Sequence, residues 1–589
     1  MAMSACRTAS WTAAGLFVIG LLTGCGMFDF MNKADQPTTR PAGTISNREA
    51  MGQFQGPAFE GTVGSVVYLE GHRPLRVRGF GLVMGLHGQG SRNCPPSIRE
   101  MIIKEIRRYR SAHPEIQADL PPAEEVLNSL DTAVVSVGGE IPGGAAPKRR
   151  FDLLVSAVDP DTKSLAGGYL LPCDLRVYRD EGPAGSIAGK TMAAAQGPIF
   201  MNPLASGRAD NTTVNPREGQ IIGGGSNLQR RDLQLISVIE SYATVRQVQD
   251  AINQKFPNEK NVADAGSPTN ITLRVPPEYQ GREGRFLEIV MALPMSKAPM
   301  VLEARAKELA GELTLPEAPL NKVALALEGI GVSVLPLIKP LYTHPRRPVS
   351  FYAARTGLRL GDRLALDVII RHAKDERSPQ RREAIHELSE ARDNLWASAV
   401  LRDLLASGDP QIRILAYEAL RRAAPDTVLQ VTVGKDPDNF LLELVPSDGP
   451  PLVYARRSQI RRIALIGGDH MTCLPPLLYA EPGSPVTLSA RQQDPVVTVL
   501  RKDHEGKIIV GPLKAPMDVP SLIRFLGQKM TRNQQGKVEG LDLDYSVIVG
   551  VLYRLSSKKA INADVRWEEP NIEDFLGPLA PVGRPESEL

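Results

Sequence analysis

Cysteine is scarce in this chain, net charge is nearly absent, and no catalytic constellation can be recognised. Each lack removes a class of function. The five cysteines among 589 residues stand at positions 6, 25, 94, 173 and 473, with no CxxC or Cys/His spacing, so no zinc site is expected. A formal charge of +3 gives no electrostatic case for a nucleic-acid partner, and none is expected. His386-Glu387 lacks the second histidine of HExxH, and Asp469-His470 and Asp503-His504 are isolated pairs in turns. Neither a G-x-S-x-G elbow nor an acidic calcium loop occurs. The stretch Ala184 to Thr191, AGSIAGKT, fits a relaxed phosphate-loop pattern, but it follows a solvated acidic turn and opens no convincing helix. The chain therefore reads as a non-enzyme with no catalytic, cofactor-binding or metal-ligating residue and no cofactor.

Long apolar runs are also missing beyond the first 25 residues. Arg7 precedes an apolar run, Trp11 to Leu22, that is too short to span a bilayer. It ends in Leu22-Thr23-Gly24-Cys25, which resembles a bacterial lipobox, with small residues to enter a peptidase and a thiol at Cys25 to carry lipid. Residues 1–25 are thus expected to be a lipoprotein signal peptide and 26–60 a flexible tether too poor in apolar surface to fold. The chain would be anchored in the periplasm rather than threaded through a membrane, and Gly26 after Cys25 resembles an outer-membrane sorting signal. An oxidising periplasm permits one disulfide, and Cys94 with Cys173, in one expected domain, is the better pair. The rest of the composition, 42% hydrophobic and 23% charged, is that of a multidomain globular protein.

What is present in abundance is glycine at chosen places. In Val77 to Gly90, VRGFGLVMGLHGQG, an apolar run is interrupted by Gly79, Gly81, Gly85, Gly88 and Gly90. Locally this could be a plain buried strand leaving into a turn; glycines this dense mark bulges, bends or close backbone approach. Strands are expected at Thr62 to Leu69, Arg76 to Leu86, Thr132 to Val137, Phe151 to Val158 and Gly168 to Tyr178. A helix over Ser97 to Arg110 carries Ile98, Ile102, Ile106 and Tyr109 on one face, with Ser97 and Glu100 as a capping box. Its other face holds Arg99, Lys104, Arg107, Arg108 and Arg110, ordinarily a solvated charge run. A β-α-β-α unit follows: strand Leu233 to Ile239, helix Thr244 to Phe256 capped by Thr244 with Gln247, a strand through Ile271, Leu273 and Val275, and helix Gly284 to Leu293.

VVYLEGHRPLRVRGFGLVMGLHGQGS resembles the opening of the flagellar P-ring protein family, with Gly71, Arg73, Gly79, Gly81, Leu82, Val83, Gly85, Leu86, Gly88 and Gly90 on the family pattern. Phe80, Gln89 and Ser91 depart from its Tyr, Thr and Asp. The likeness continues through Asp152, Val155, Ser156, Ser164, Leu165, Gly167 and Gly168, then Ala195-Gln196-Gly197, and TVRQVQDAINQKF, covering about residues 61–297. The resemblance implies a structural protein, a homo-oligomeric periplasmic ring in the flagellar basal body, associated with peptidoglycan and set around the rod beside the L-ring proteins. The motif glycines, Gly167 and Gly168 included, would then serve packing within and between subunits.

Past Pro294 the family pattern stops. Pro348, Pro379 and Pro410 recur every 31 residues, with Ala353, Ala384 and Leu415 in phase, and Leu364 with Leu395, Ile369 with Val400 and Ile370 with Leu401. Helix pairs at this period resemble HEAT-type repeats, which usually bind proteins; the plainer reading is an ordinary bundle. From Thr427 the pattern returns to strands, among them Phe440 to Val445 and Val486 to Ala490. The expected fold class is multidomain α+β: a β-rich, mixed P-ring-like N-terminal half, a short α-solenoid and a β-rich C-terminal module. The expected divisions are 61–202, 203–297, 298–426, 427–569 and a disordered tail at 570–589. The competing function is an envelope lipoprotein scaffold that keeps the P-ring fold but binds partners through its repeats.

Overall fold

The computed structural model describes residues 56–568 apart from 113–121, 181–185, 202–214, 392–393, 435–438, 457–459, 482–483, 504–505 and 533–537. Cys25, the tether up to residue 55 and the 570–589 tail lie outside the described residues.

Six antiparallel strands close into a barrel: β2 (Leu75–Met84), β3 (Thr132–Ile141), β4 (Arg150–Ala157), β5 (Tyr169–Asp180), β6 (Ser186–Pro198) and β7 (Glu218–Asn227), in the order β2-β3-β4-β7-β6-β5. Its interior is filled by alternating residues such as Val77, Val83, Val135, Val137, Phe151, Leu153 and Leu175. Strands β6 and β7 are absent from the sequence expectation because glycine and alanine replace large apolar residues in SIAGKTMAAAQGP and EGQIIGGGSN. The substitution has a packing cause at one point: a Cβ at Gly225 would sit 2.5 Å from the Phe151 ring, and one at Gly139 2.6 Å from it. From Ser186 to Thr191 the phosphate-loop lookalike is part of strand β6, where Thr191 pairs with Arg176 of β5.

The barrel extends to Asn227, past the expected division at residue 202. The start of the chain, in turn, belongs to the next layer. Val63–Val66 is a short helix, α1, where a strand was expected, and β1 (Val67–Glu70) pairs with β8 (Leu233–Ser237). With β9 (Ala263–Ala265) and β10 (Asn270–Leu273) they form a four-stranded antiparallel sheet, β1-β8-β10-β9. Helices Tyr242–Lys255 and Glu283–Ala292 pack on it through Val245, Val248, Ile252, Phe286 and Val290. The first of these is capped by Ser241, whose hydroxyl accepts from the Thr244 amide, rather than by Thr244. The barrel's own helix, α2 (Pro96–Ala112), likewise starts one residue early on the Pro95 carbonyl, so Ser97 is no cap.

Helices fill 299–423. Arg347–Arg359, Leu364–Lys374, Arg381–Glu390, Leu395–Leu404 and Pro410–Ala423 alternate as paired, neighbour-contacting elements. Pro348 and Pro410 occupy first turns, while Pro379 lies ahead of a helix capped at Gln380. Ala353, Ala384, Ile369, Val400 and Leu401 are buried in phase; Leu364 and Leu395 keep the phase but are 63% and 80% exposed. The last helix packs on a five-stranded sheet of Leu429–Val433, Phe440–Val445, Arg462–Ile466, Leu452–Arg456 and Asp564–Trp567, in that order, through Tyr417 and Leu420 against Tyr454, Ala464 and Ile466. The other face of that sheet covers helices Val519–Gly527 and Tyr545–Ser557 beside a four-stranded antiparallel sheet of Leu477–Tyr479, Val486–Ala490, Val497–Lys502 and Ile508–Ala515. Phe200 and Ile222 of the barrel segment also enter this C-terminal core, with Phe200 stacked 5.9 Å from Tyr545. No single described helix is long and apolar enough to cross a membrane.

Candidate assembly site: the glycine seam

Strand β2 is hydrogen-bonded on both sides, to β3 in continuous register and to β5 across a register shift between Arg78 and Val83. Closing a six-stranded barrel forces these two strands together where they cross, and the glycines stand there. A Cβ at Gly79 would lie 2.3 Å from the Asp174 carbonyl oxygen, and one at Gly81 2.8 Å from Leu170 Cδ1 and 2.9 Å from Cys173 Sγ. Just past the strand, a Cβ at Gly90 would meet the Thr132 carbonyl oxygen at 2.0 Å. Gly85 and Gly88 act differently: their φ angles of 81° and 83° turn the chain back, and almost nothing surrounds them.

The second glycine motif, about 80 residues further along, meets the first in space. Gly168 lies where a Cβ would be 2.5 Å from Val83 Cγ1 and 2.7 Å from Leu86, and Gly167 turns with φ 75°. The Lys163 amide donates to the Gln89 carbonyl at 2.8 Å, and the Ser91 hydroxyl donates to Asp159. The seven glycines therefore line one seam and one end of the barrel, and the contacts that exclude side chains are within one subunit. At Gly79, Gly81, Gly90 and Gly168 the nearest atoms that a side chain would meet belong to the same chain.

Cys94 and Cys173 are both free thiols, so the expected bridge is not formed. Cys173 belongs to the barrel interior, whereas Cys94 packs with the outer cluster of Leu82, Ile98 and Ile102, beyond the strand wall. Burial pushes the Cys173 thiol far above its ordinary value.

A charged cluster beside the seam had no signal in the sequence beyond the basic helix face. Arg108 forks onto Asp174 at 3.0 and 3.2 Å, and Arg107 pairs with Glu124 at 2.7 Å, so part of that face is used internally. Glu105 on the same helix lies against Gly81 and Cys173, with Oε2 buried and unpartnered. Burial, and then the charge of Asp174, raises its carboxyl to about 7. A raised carboxyl pKa in the folded state adds stability below the unfolded value near 4.5 and loses it as pH rises through 7. Glu105→Gln should therefore melt higher than the parent above pH 7 and equally at about pH 4.5; parallel melting curves at every pH would refute the assignment.

A second site missed by sequence reading joins the β-α layer to the helices. Arg285 pairs with Glu288 at 3.1 Å and with Glu328; Arg359 forks onto Glu387 at 2.6 and 2.9 Å and reaches Glu328 at 3.2 Å. Arg282 pairs with Glu390, which Arg422 approaches at 3.6 Å. These residues line a cavity of about 420 Å³. Burial alone would raise the Glu387 carboxyl, but the Arg359 guanidinium outweighs it and holds the group down at about 2. His386-Glu387, rejected above as a protease motif, is thus a helix position in a structural ion network. Among the described residues no three His, Cys, Asp or Glu gather as a metal site.

The barrel is thus closed along a glycine seam, where Gly79 and Gly90 admit neighbouring backbone and Gly81 and Gly168 admit neighbouring side chains. Residues 62–310 match the model of the flagellar P-ring protein family. The chain is 29% identical to the flagellar P-ring protein of Caulobacter vibrioides over 287 residues, 46% of this chain and 70% of the relative. It is 29% identical to that of Aquifex aeolicus over 261 residues, 42% and 66% of the two chains. The flagellar P-ring protein 1 of Vibrio parahaemolyticus is 28% identical over 251 residues, 41% and 60%.

Proposed function

We propose that the chain is a structural, non-enzymatic subunit of a periplasmic ring in the flagellar basal body, assembling with copies of itself around the rod. The observation that carries this reading is the match over 62–310, whose glycine motifs are the residues that close the barrel. Peptidoglycan and the L-ring proteins are the neighbours such a ring would have. The helices of 299–423 we read as a HEAT-type extension, and Cys25 as the lipid anchor that tethers the chain to the outer membrane. A scaffold reading has one observation in its favour: Leu395 and Trp396, outside the family match, are 80% and 74% exposed.

Electron microscopy of basal bodies from a deletion strain separates the two. Loss of the periplasmic ring density and of swimming is expected. Intact rings and wild-type swimming would end the ring reading in favour of a scaffold. In the same strain, Cys25→Ser should leave an unprocessed precursor; a variant that matures to the parental mass and still fractionates with membranes would remove the lipid anchor.

A further inference from the structure

Exposed large apolar side chains in the described part of the P-ring segment occur singly or as an adjacent pair, with one exception. The loop from β8 into helix Tyr242–Lys255 presents Val238, Ile239 and Tyr242, which are 67%, 52% and 62% exposed. A cluster of this kind on a soluble surface marks an interaction site more often than a lone exposed residue does.

The loop is also held in place. The Val238 amide donates to the Val66 carbonyl at 2.9 Å, and the Ser241 amide to the Pro268 carbonyl at 3.1 Å. Between them the Ser237 hydroxyl donates to the Ile239 carbonyl at 2.7 Å and accepts from its amide at 3.3 Å. Ser241 then caps the helix. The backbone is fixed before any partner arrives, so docking would cost little ordering entropy there.

We propose that the Val238–Tyr242 knob is one half of the contact between neighbouring copies of this chain. The proposal rests on the ring reading. A ring closes through a heterologous contact, in which one surface of each subunit meets a different surface of the next. The family match ends at residue 310, so a self-contact shared with relatives named for the P-ring is sought before that point, ahead of nearly all of the helical extension. Within that half, the knob is the one described stretch where three exposed large apolar residues fall within five positions, on a pinned backbone.

The test uses the full chain in cells, with a benzophenone amino acid placed at Ile239. The expected product has twice the mass of the chain, with the cross-linked peptide mapping outside 238–242. A cross-link from 239 to 239 would show an isologous dimer and overturn the proposal. So would cross-links only to other proteins, or none, in cells whose basal bodies still carry the ring. If the ring itself is absent from wild-type basal bodies, the parent reading has failed and the proposal with it. As a second measurement, Val238→Asp with Ile239→Asp should leave the melting curve unchanged, since both side chains are exposed. Ring-bearing basal bodies should nevertheless fall by roughly tenfold or more, the scale of losing an interface hot spot. Trp396→Ser, on the helical extension, should leave their number unchanged; equal losses from both would place the contact elsewhere.

Discussion

Gly90→Ala should unfold or severely destabilise the barrel, while Gly88→Ala, two residues away, should be tolerated. The added methyl is the same; the surroundings differ. At Gly90 it would stand 2.0 Å from the Thr132 carbonyl oxygen and 2.7 Å from that of Leu130, both backbone atoms of the adjoining strand and turn. The Gly90 amide also donates to the Leu130 carbonyl at 2.8 Å, so the segment cannot move without losing that bond. Overpacking commonly costs about 1–3 kcal/mol, and a clash with fixed backbone belongs at or above the top of that range. Gly88 has nothing within 4 Å, and its φ of 83° alone sets the penalty, roughly 1–2 kcal/mol for a left-handed residue. Gly79→Ala should follow Gly90, because its obstacle is the Asp174 carbonyl oxygen; Gly81→Ala should be milder, because the Leu170 and Cys173 side-chain ends can shift. Thermal melting of the purified variants, followed in the β-sheet signal, gives the order directly. Equal losses at Gly88 and Gly90 would mean that close approach does not explain the motif.

The second large effect is expected at Arg359. Its side chain is 8% exposed and compensates Glu387, Glu328 and Glu288, whose side chains are 1%, 13% and 4% exposed. Arg359→Met keeps most of the stem but leaves these carboxylates short of a cation; breaking a buried pair in this way costs about 3–5 kcal/mol. Adding Glu387→Gln to the same chain should restore part of the loss, since the least exposed charge is then removed. The parent should also lose stability in acid. The depressed Glu387 carboxyl contributes above its unfolded value of 4.5, and the contribution disappears as pH falls from there towards 2. Urea unfolding followed in the helical signal reads all three. A midpoint for Arg359→Met that matches the parent would show that the network carries no stability, and with it that the helical extension is not fixed to the β-α layer by charge.

How much of this was legible beforehand depended on the range of the interaction concerned. Local chemistry was readable: the glycine run, the 31-residue phase that buries Ala353, Ala384, Ile369 and Val400, and the C-terminal strands Phe440–Val445 and Val486–Ala490. So was the likeness of residues 62–310 to the flagellar P-ring protein family, because its motifs are short and ordered along the chain. Caps were misplaced by a few residues, as at Ser241, because several adjacent hydroxyls offer the same local bond and only the backbone conformation selects one.

What the amino-acid sequence alone determined is therefore where backbone would have to turn or come close, and which half of the chain carries the P-ring pattern. Only the tertiary structure decided what comes close to what. Strands β6 and β7 carry too few large apolar residues to announce themselves, yet they complete the barrel, with the Phe151 ring filling the space beside Gly225 of β7. β1 left its sequence neighbours to pair with β8, and Arg285 and Arg359, 74 positions apart, came to share Glu328. Barrel closure and charge pairing of this kind depend on distances between residues remote in the chain, and a periodicity read along the chain holds no measure of those distances.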